Sequence, residues 1–422
     1  MALQIDTDIV VAGNGPVGMI AALALADLGL KTTIIGPKQT SIDMRTTALM
    51  MPSIRVIDKI GIWTAIKPYA APLKMMRILD GTERLIRSRP VTFQASDISE
   101  DAFGWNMPNT ILNDALMQAL KSRSNIVHME TAVTGYEIPN RQPIGDRTET
   151  IRNAYGNDAE TIRISLETGV QLVAKLVVGA DGRKSLARDA AGIKSTIWSY
   201  PQSALVTTFA HTRSHENCST EFHTETGPFT IVPLPGNRSS LVWVLKPDDA
   251  VGYLKLDADS LSRLIEARMQ SMLGKVTVSG DRQLYPLSGQ YPSRFANERI
   301  ALVGEAAHLF PPIGAQGLNL GVRDVEDLCA IVGQDFADLG SRRQTAAYDA
   351  KRRPDIIART GAVDALNRSL LTSFLPTQLV RSLGLATLDV LPPLRGFFMR
   401  EGMRPGSGFT AVLSGFKRET RG

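Results

Sequence analysis

The stretch "DIVVAGNGPVGMIAALALADLGLKTTIIG", residues 8 to 36, constrains the fold more than any other part of the chain. An apolar β run leads into a glycine turn, an alanine-rich helix closed by Gly29, and a second β run, "KTTIIG"; this is a βαβ unit. Gly13, Gly15 and Gly18 make G-x-G-x-x-G at the strand-to-helix junction. Gly13 permits the tight turn, Gly15 lets a pyrophosphate approach the backbone, and Gly18 lets helix and strand pack closely. The helix N-terminus, with Pro16 at its start, then faces the phosphates. The bland alternative is a tight turn that binds nothing, but the position after a strand and before an amphipathic helix favours a dinucleotide site. The next element disagrees. The acid expected at the end of the second strand, where it would hold an adenosine ribose, is Gly36, followed by "PKQT". Lys38 could instead read a 2′-phosphate, so this unit alone leaves an NADP site open.

Two later stretches bear on that choice. "KLVVGADGRKSLAR" (175 to 188) reads as a buried strand ending in Gly179-Ala180-Asp181-Gly182, with Ser185 and Arg188 on the following turn and helix. Alone it is equally a strand-turn-helix whose Asp181 is an N-cap. "RIALVGEAAHLFPPIGAQGLNLGVRD" ends a strand in the same way, then runs through glycines and prolines into a helix beginning near Gly317. Such a side-chain-poor loop lets main-chain N–H groups reach a flat, electron-rich ring at a helix N-terminus.

Together the three motifs, G-x-G-x-x-G, G-A-D-G-x-x-S-x-x-R and G-E-A-A-H-x-x-x-P-x-G-x-Q-G-x-N, resemble those of the single-component FAD-dependent aromatic hydroxylases, the fold of para-hydroxybenzoate hydroxylase. The resemblance covers residues 1 to about 360. It implies an α/β protein: a Rossmann-type FAD-binding domain from residues 1–73, 103–190 and 286–360, an antiparallel β-sheet substrate domain from 74–102 and 191–285, and a helical C-terminal region, 361–422. The period-two runs "SALVTTFA", "GPFTIVPLP" and "SSLVWVLK" fit that sheet, which would roof a ligand site. Polar, Gly/Asn-rich 139–160 reads as a surface loop or hairpin tip.

By matching positions, the resemblance implies that Glu305 meets the ribityl hydroxyls and that Leu318 and Asn319 offer backbone N–H groups to the pyrimidine edge of the flavin. It also implies that Asp181 lies near the pyrophosphate, Arg45 near the ring and ribityl chain, Asn109 near the flavin, and Val133 where a backbone group meets adenine. With Gly13, Gly15, Pro16, Gly18, Gly314, Gln316 and Gly317, these form the candidate cofactor-binding set; Pro312 is the residue facing substrate. Glu305 stands where the family more often has Asp, adding a methylene, and Gly36 removes the ribose acid. "DMRTTALMMPSIRVIDKIGIW", "PPIGAQGLNLGVRD" and "PPLRGFFMREGM" resemble the ubiquinone-biosynthesis branch, whose substrates are polyprenylated phenols.

The implied activity is a monooxygenase reaction. FAD takes electrons from an external donor such as NAD(P)H, O2 adds to give a C4a-hydroperoxide, and the distal oxygen goes to a phenol ring carbon. The cofactor carries the chemistry and the protein supplies orientation and a dry cavity. No catalytic residue is assigned and no second nucleotide-binding unit is visible. Other readings on the same fold are a flavin reductase of prenyl groups and a catalytically idle, FAD-binding scaffold of a quinone-biosynthesis complex. A halogenase would want W-x-W-x-I-P, which does not occur.

Composition excludes several other classes. The net charge is +5 with a pI near 9.2, and Lys and Arg are scattered, so nucleic-acid binding finds no support. Two cysteines, Cys218 and Cys329, make no disulfide framework and fit a reducing, cytoplasmic setting. The N-terminus has no signal-peptide pattern, and no apolar run reaches the roughly 20 residues of a spanning helix. His211, His215, Cys218 and His223 match no closed metal-ligand set, so no metal is assigned. His308 reads as scaffold of the third loop. The C-terminal region carries eight Lys and Arg against four acids among Leu, Phe and Val at near-helical spacing. It is either a helical cap or a peripheral contact with the inner face of an anionic membrane.

Overall fold

The computed structural model describes residues 4–38, 43–82, 89–138, 161–311 and 316–371. The expected loop at 139–160, the C-terminal residues beyond 371, Pro312 and Gly314 lie outside the described residues.

Among the described residues the strands sort into two eight-stranded sheets, the first including the short edge strand Ala296–Asn297, and a small three-stranded one. In the first sheet, five parallel strands run in the order Ile126–Met129, Thr32–Ile35, Gln4–Ala12, Gln171–Gly179 and Ile300–Leu302. The antiparallel pair Val133–Glu137 and Ile162–Leu166 joins through Gln171–Gly179. Gln4–Ala12 and Gln171–Gly179 supply "IVVA" and "LVVG", near-continuous apolar runs of the kind a buried parallel strand carries.

The second sheet has the order Val276–Val278, Ser195–His211, Arg238–Leu245, Gly227–Leu234, Cys218–Thr224, Met75–Asp80 and Val91–Gln94, with Gln283–Pro292 also on Ser195–His211. Its pairs are antiparallel except one: Cys218–Thr224 runs parallel to Met75–Asp80. The all-antiparallel expectation misses this pair because Met75–Asp80 enters from a distant part of the chain, where no hairpin sets its direction. One face of this sheet packs its core, with Phe209, Phe229 and Trp243, against the helix Ala258–Arg268.

The helix after the glycine turn, Pro16–Ala26, also departs from expectation. It is not amphipathic: Gly18 to Leu23, Leu25 and Ala26 are all buried. The sheet covers one side, and the helices Gln316–Val332 and Asn109–Ser122 cover the others, so an apolar surface all round is what its position demands. Gly13 takes φ +117°, and a Cβ there would lie 2.2 Å from the Ala180 carbonyl oxygen. A Cβ on Gly18 would lie 1.9 Å from the Gly13 carbonyl oxygen. Both contacts are with backbone, which cannot swing aside.

Gly18→Ala therefore forces the helix off the turn. It is expected to lower the unfolding free energy of the apoprotein by about 2–3 kcal/mol, read as a reduced urea midpoint at unchanged slope.

Candidate active site

Ala12 stands opposite Gly179 in the sheet, and Gly179 opposite Leu302. The three glycine-bearing motifs thus leave the C-terminal ends of three adjacent parallel strands. Chain order reverses between Gln4–Ala12 and Gln171–Gly179, and the crevice at such a switch point is where open α/β sheets bind ligands.

The motifs interlock. Ala180 donates its N–H to the Ala12 carbonyl (2.7 Å) and Val303 to the Gly179 carbonyl (2.9 Å). Gly304 and Gly321 both close on the Val17 side chain. Arg188, buried, donates to the Ala306 carbonyl (3.1 Å) and the Arg183 carbonyl (3.0 Å), pinning the second motif to the third. Asp181 does not cap the next helix itself. Ser185 is the N-cap, and the Asp181 carboxylate accepts from the Ser185 hydroxyl and from the Ala187 N–H (3.0 Å). Val133 opens the strand Val133–Glu137, against which the helix Leu186–Ala190 packs. Glu305 is about half exposed and pairs with Arg183 at 3.1 Å.

Arg45 and Asn109 belong to a second group beside this one. Asp43 accepts from Arg45 Nε (2.8 Å) and Nη2 (2.7 Å) and from Asn109 Nδ2 (2.8 Å). Burial alone would push the Asp43 carboxyl up, but the hydrogen bonds from Arg45 and Asn109 and the guanidinium charge hold it below the ordinary carboxylate value. The Arg45 guanidinium lies 5.4 Å from the ring centroid of Tyr285, so this group bridges to the second sheet's strand Gln283–Pro292. The phenol of Tyr285 is raised by burial, with Arg45 pulling the other way. Asn319 turns its side chain away from the crevice: its Oδ1 accepts from Met50 N–H and its Nδ2 donates to the Ala48 carbonyl, both 2.8 Å. That anchors the start of Gln316–Val332, where helix geometry leaves the first N–H groups, those of Gly317 and Leu318 included, without intrahelical partners.

The FAD binding domain family model matches residues 6–360. The chain belongs to the FAD-dependent aromatic hydroxylases. This hydroxylase is 33% identical over 406 residues to the ubiquinone hydroxylase UbiL of Rhodospirillum rubrum, an alignment covering 94% of the chain and 89% of that relative. It is 27% identical over 396 residues to the 3-demethoxyubiquinol 3-hydroxylase of Escherichia coli, covering 91% and 95%. Among solved structures, PqsL of Pseudomonas aeruginosa in complex with 2-aminobenzoylacetate superposes with a TM-score of 0.72 at 22% identity, covering 91% of the chain and 100% of that structure. HpxO of Klebsiella pneumoniae, complexed with FAD and uric acid, gives 0.70 at 15%, covering 96% of each.

The hydroxylase's FAD cofactor fits the crevice. An added Cβ at Gly15 or Gly317 would meet nothing within 4 Å, so the backbone at both helix starts faces open space. The helix Pro16–Ala26 has no side-chain cap and begins with a proline, leaving its first N–H groups for an anion.

Sequence reasoning passed over the buried carboxylate of Asp324. Its Oδ2 accepts from the Gly304 N–H (2.9 Å) and His308 Nε2 (2.7 Å), and its Oδ1 accepts from Arg352 Nε (2.8 Å). Arg352 in turn donates to Asp327 and Asp355, each at 3.0 Å. The signal for Asp324 lay inside the quoted "GVRD"; Arg352, in a charged helix 28 residues on, offered none. His308 is scaffold, as its position suggested. His215 is likewise committed, accepting the Asn217 N–H at Nδ1 and donating from Nε2 to the Leu234 carbonyl.

Burial alone would raise the Asp324 carboxyl, but the attraction of His308 and Arg352 and the hydrogen bonds from His308 and Gly304 hold it low. Its contribution to stability is therefore complete above the unfolded value of about 3.9 and is lost as pH falls through the lower native value. Asp324→Asn should cost about 1.5–3 kcal/mol at neutral pH, because the charged acceptor shared by His308, Gly304 and Arg352 is lost while Asp327 and Asp355 still pair Arg352. It should also flatten the acid limb of stability, seen in urea midpoints followed from neutral into acid.

Proposed function

We propose that this protein hydroxylates the aromatic ring of a polyprenylated phenol in ubiquinone biosynthesis, by the flavin C4a-hydroperoxide route, with NAD(P)H as the external donor. The observation that carries this reading is the 33% identity, spread over 94% of the chain, to a ubiquinone hydroxylase. The convergence of the three strand ends on one crevice supports it.

The bound flavin supplies activated oxygen: one atom of O2 enters the ring, the other leaves as water, and the donor's two electrons balance the reaction. The chain's own residues bind and orient. The N–H groups following Gly15 and Pro16 take the pyrophosphate, against the turn made by Gly13, Gly18 and Asp181. Val133 lies by adenine and Glu305 takes the ribityl hydroxyls. The first turn of Gln316–Val332, with Leu318 and Asn319, faces the ring's pyrimidine edge. Arg45, steadied by Asp43 and flanked by Asn109, places positive charge beside the ring and ribityl chain. Pro312 is proposed to face the substrate and Gly314 to belong to the cofactor-binding set. The cofactor part comprises residues 1–73, 103–190 and 286–360, and the substrate part 74–102 and 191–285. The apolar, basic region 361–422 is proposed to rest on the membrane that holds the prenyl tail, in company with other quinone-biosynthesis proteins. Among the described residues no helix is long and apolar enough to cross a membrane.

Gly15→Val tests the cofactor reading. Its side chain enters open space, so apoprotein stability should change by no more than about 0.5 kcal/mol. FAD uptake, followed by flavin fluorescence quenching, should fall steeply. The reaction is tested with purified flavoprotein, NAD(P)H, isotope-labelled O2 and a short-chain prenylphenol. The label is expected in the product ring; a yellow protein that consumes no O2 with any prenylphenol would instead favour the idle scaffold.

A further inference from the structure

The carboxylate of Glu221 and the imidazole of His223 stand on the strand Cys218–Thr224, apart from the cofactor crevice. Glu221 Oε1 accepts from His223 Nε2 (3.0 Å), and its Oε2 accepts from the Thr230 hydroxyl (3.2 Å). Both members of the pair are sheltered: the side chains of Glu221 and His223 are 18% and 7% exposed. Each carboxylate oxygen carries one of these bonds, whereas an ionised carboxylate can take about four. The group is thus fixed in place and can still receive a further donor.

The face on which it stands decides which donor that is. Strand pairing sets Glu221 opposite Thr230, Thr230 opposite Val242, Val242 opposite Val206 and Val206 opposite Gln283. Residues directly opposite share a face, so these five side chains form one row, about 19 Å long at ~4.8 Å per strand. Their chain neighbours Phe222, Phe229, Trp243 and Leu205 point the other way, into the core beneath Ala258–Arg268. The five members of the row, by contrast, are only half-buried. Residues of the proposed cofactor part approach this same face. Arg45 lies against Tyr285, whose hydroxyl donates to Gln283 Oε1, and Asn106 reaches the hydroxyl of Ser240, two residues before Val242, at 3.4 Å. One end of the row therefore meets Arg45, and a fixed carboxylate stands at the other, with the largely apolar Thr230, Val242 and Val206 between them.

We propose that Glu221 is the catalytic base of the hydroxylation. The phenol ring of the substrate lies over Thr230 and Val242, and its hydroxyl donates to the Glu221 carboxylate, which His223 and Thr230 hold as positioning residues. This rests on the reading that the protein hydroxylates a phenol. Model carboxylic acids and phenols differ by about 6 pKa units, so a carboxylate leaves a resting phenol neutral. As the ring carbon gains its oxygen atom, the phenol O–H bond breaks; its electron pair becomes the C=O of a ring dienone and its proton passes to Glu221. The carboxyl group returns that proton to the same oxygen while the ring carbon releases its own hydrogen as a proton and the ring becomes aromatic again. General-base assistance of this kind contributes about 10²–10⁴ in rate.

The test uses the FAD-loaded full-length protein, a short-chain prenylphenol and its methyl ether, with Glu221→Gln and Glu221→Asp beside the parent. In equilibrium dialysis against the oxidised protein, the parent should bind the phenol at least about tenfold more tightly than the ether. E221Q should show a preference of no more than about threefold, since a neutral amide replaces a charged acceptor. In turnover with NAD(P)H, E221Q should keep the parent's FAD content but lose about a hundredfold or more in kcat. E221D, whose carboxylate is set back by one methylene, should fall between the two. The inference is overturned if E221Q keeps the parent's preference for the phenol, or keeps kcat within about threefold of the parent, for Glu221 would then only brace the sheet. Should E221Q fail to fold, E221D decides: a kcat equal to the parent's overturns the inference. A parent protein that binds FAD but hydroxylates no prenylphenol refutes the proposed function instead, so the two failures are distinguishable.

Discussion

A single buried carboxylate holds the active-site end of this protein together. Asp324, fully buried, receives Gly304, His308 and Arg352 at once and so joins the loop after the strand Ile300–Leu302, the helix Gln316–Val332 and the long helix Arg342–Leu371. Taking a carboxylate out of water costs several kcal/mol, and only a nearly complete set of donors repays it. That requirement makes the arrangement specific. The loop cannot move without unpairing Asp324, and the long helix cannot move without parting Arg352 from Asp324 and Asp327. Tyr348, on the same helix, adds a hydrogen bond from its hydroxyl to the Leu302 carbonyl at 2.8 Å.

From that anchor the crevice is built largely of backbone. Gly13 and Gly18 bring main chain against main chain, Gly304 closes on the Val17 side chain and Gly179 on those of Ala187 and Leu302, so a side chain at any of the four would collide. Open space remains at Gly15 and Gly317, where two helices begin. Fixed N–H dipoles at helix starts lose no side-chain entropy when an anion or a polarised ring arrives, which suits a flavin enzyme whose protein part orients more than it reacts.

The small three-stranded sheet, with the residues that lead into it, meets the second large sheet through polar contacts. Asp43 aligns Arg45, Arg45 lies against Tyr285, and Asn106 donates from its buried amide to the Pro233 carbonyl at 2.8 Å. Charge in this seam is balanced locally by Asp43, while Glu305 answers Arg183 at the outer rim.

The βαβ unit, the three strand ends and the family are legible in the amino-acid order alone, because glycine spacing reports where backbone must approach backbone or a ligand, and such demands are local. It also carried the period-two pattern of the second sheet. It misled where the neighbours of an element matter. Pro16–Ala26 was expected to be amphipathic but is buried all round, and Cys218–Thr224 found a parallel partner from residues 75 to 80. Folding in three dimensions is what brings Asp324 and Arg352 into one buried site and sets Asn14 in the space beside Gly36. Those pairs lie 28 and 22 residues apart in the chain. What joins them is desolvation and excluded volume, which act through space and leave no periodicity to read.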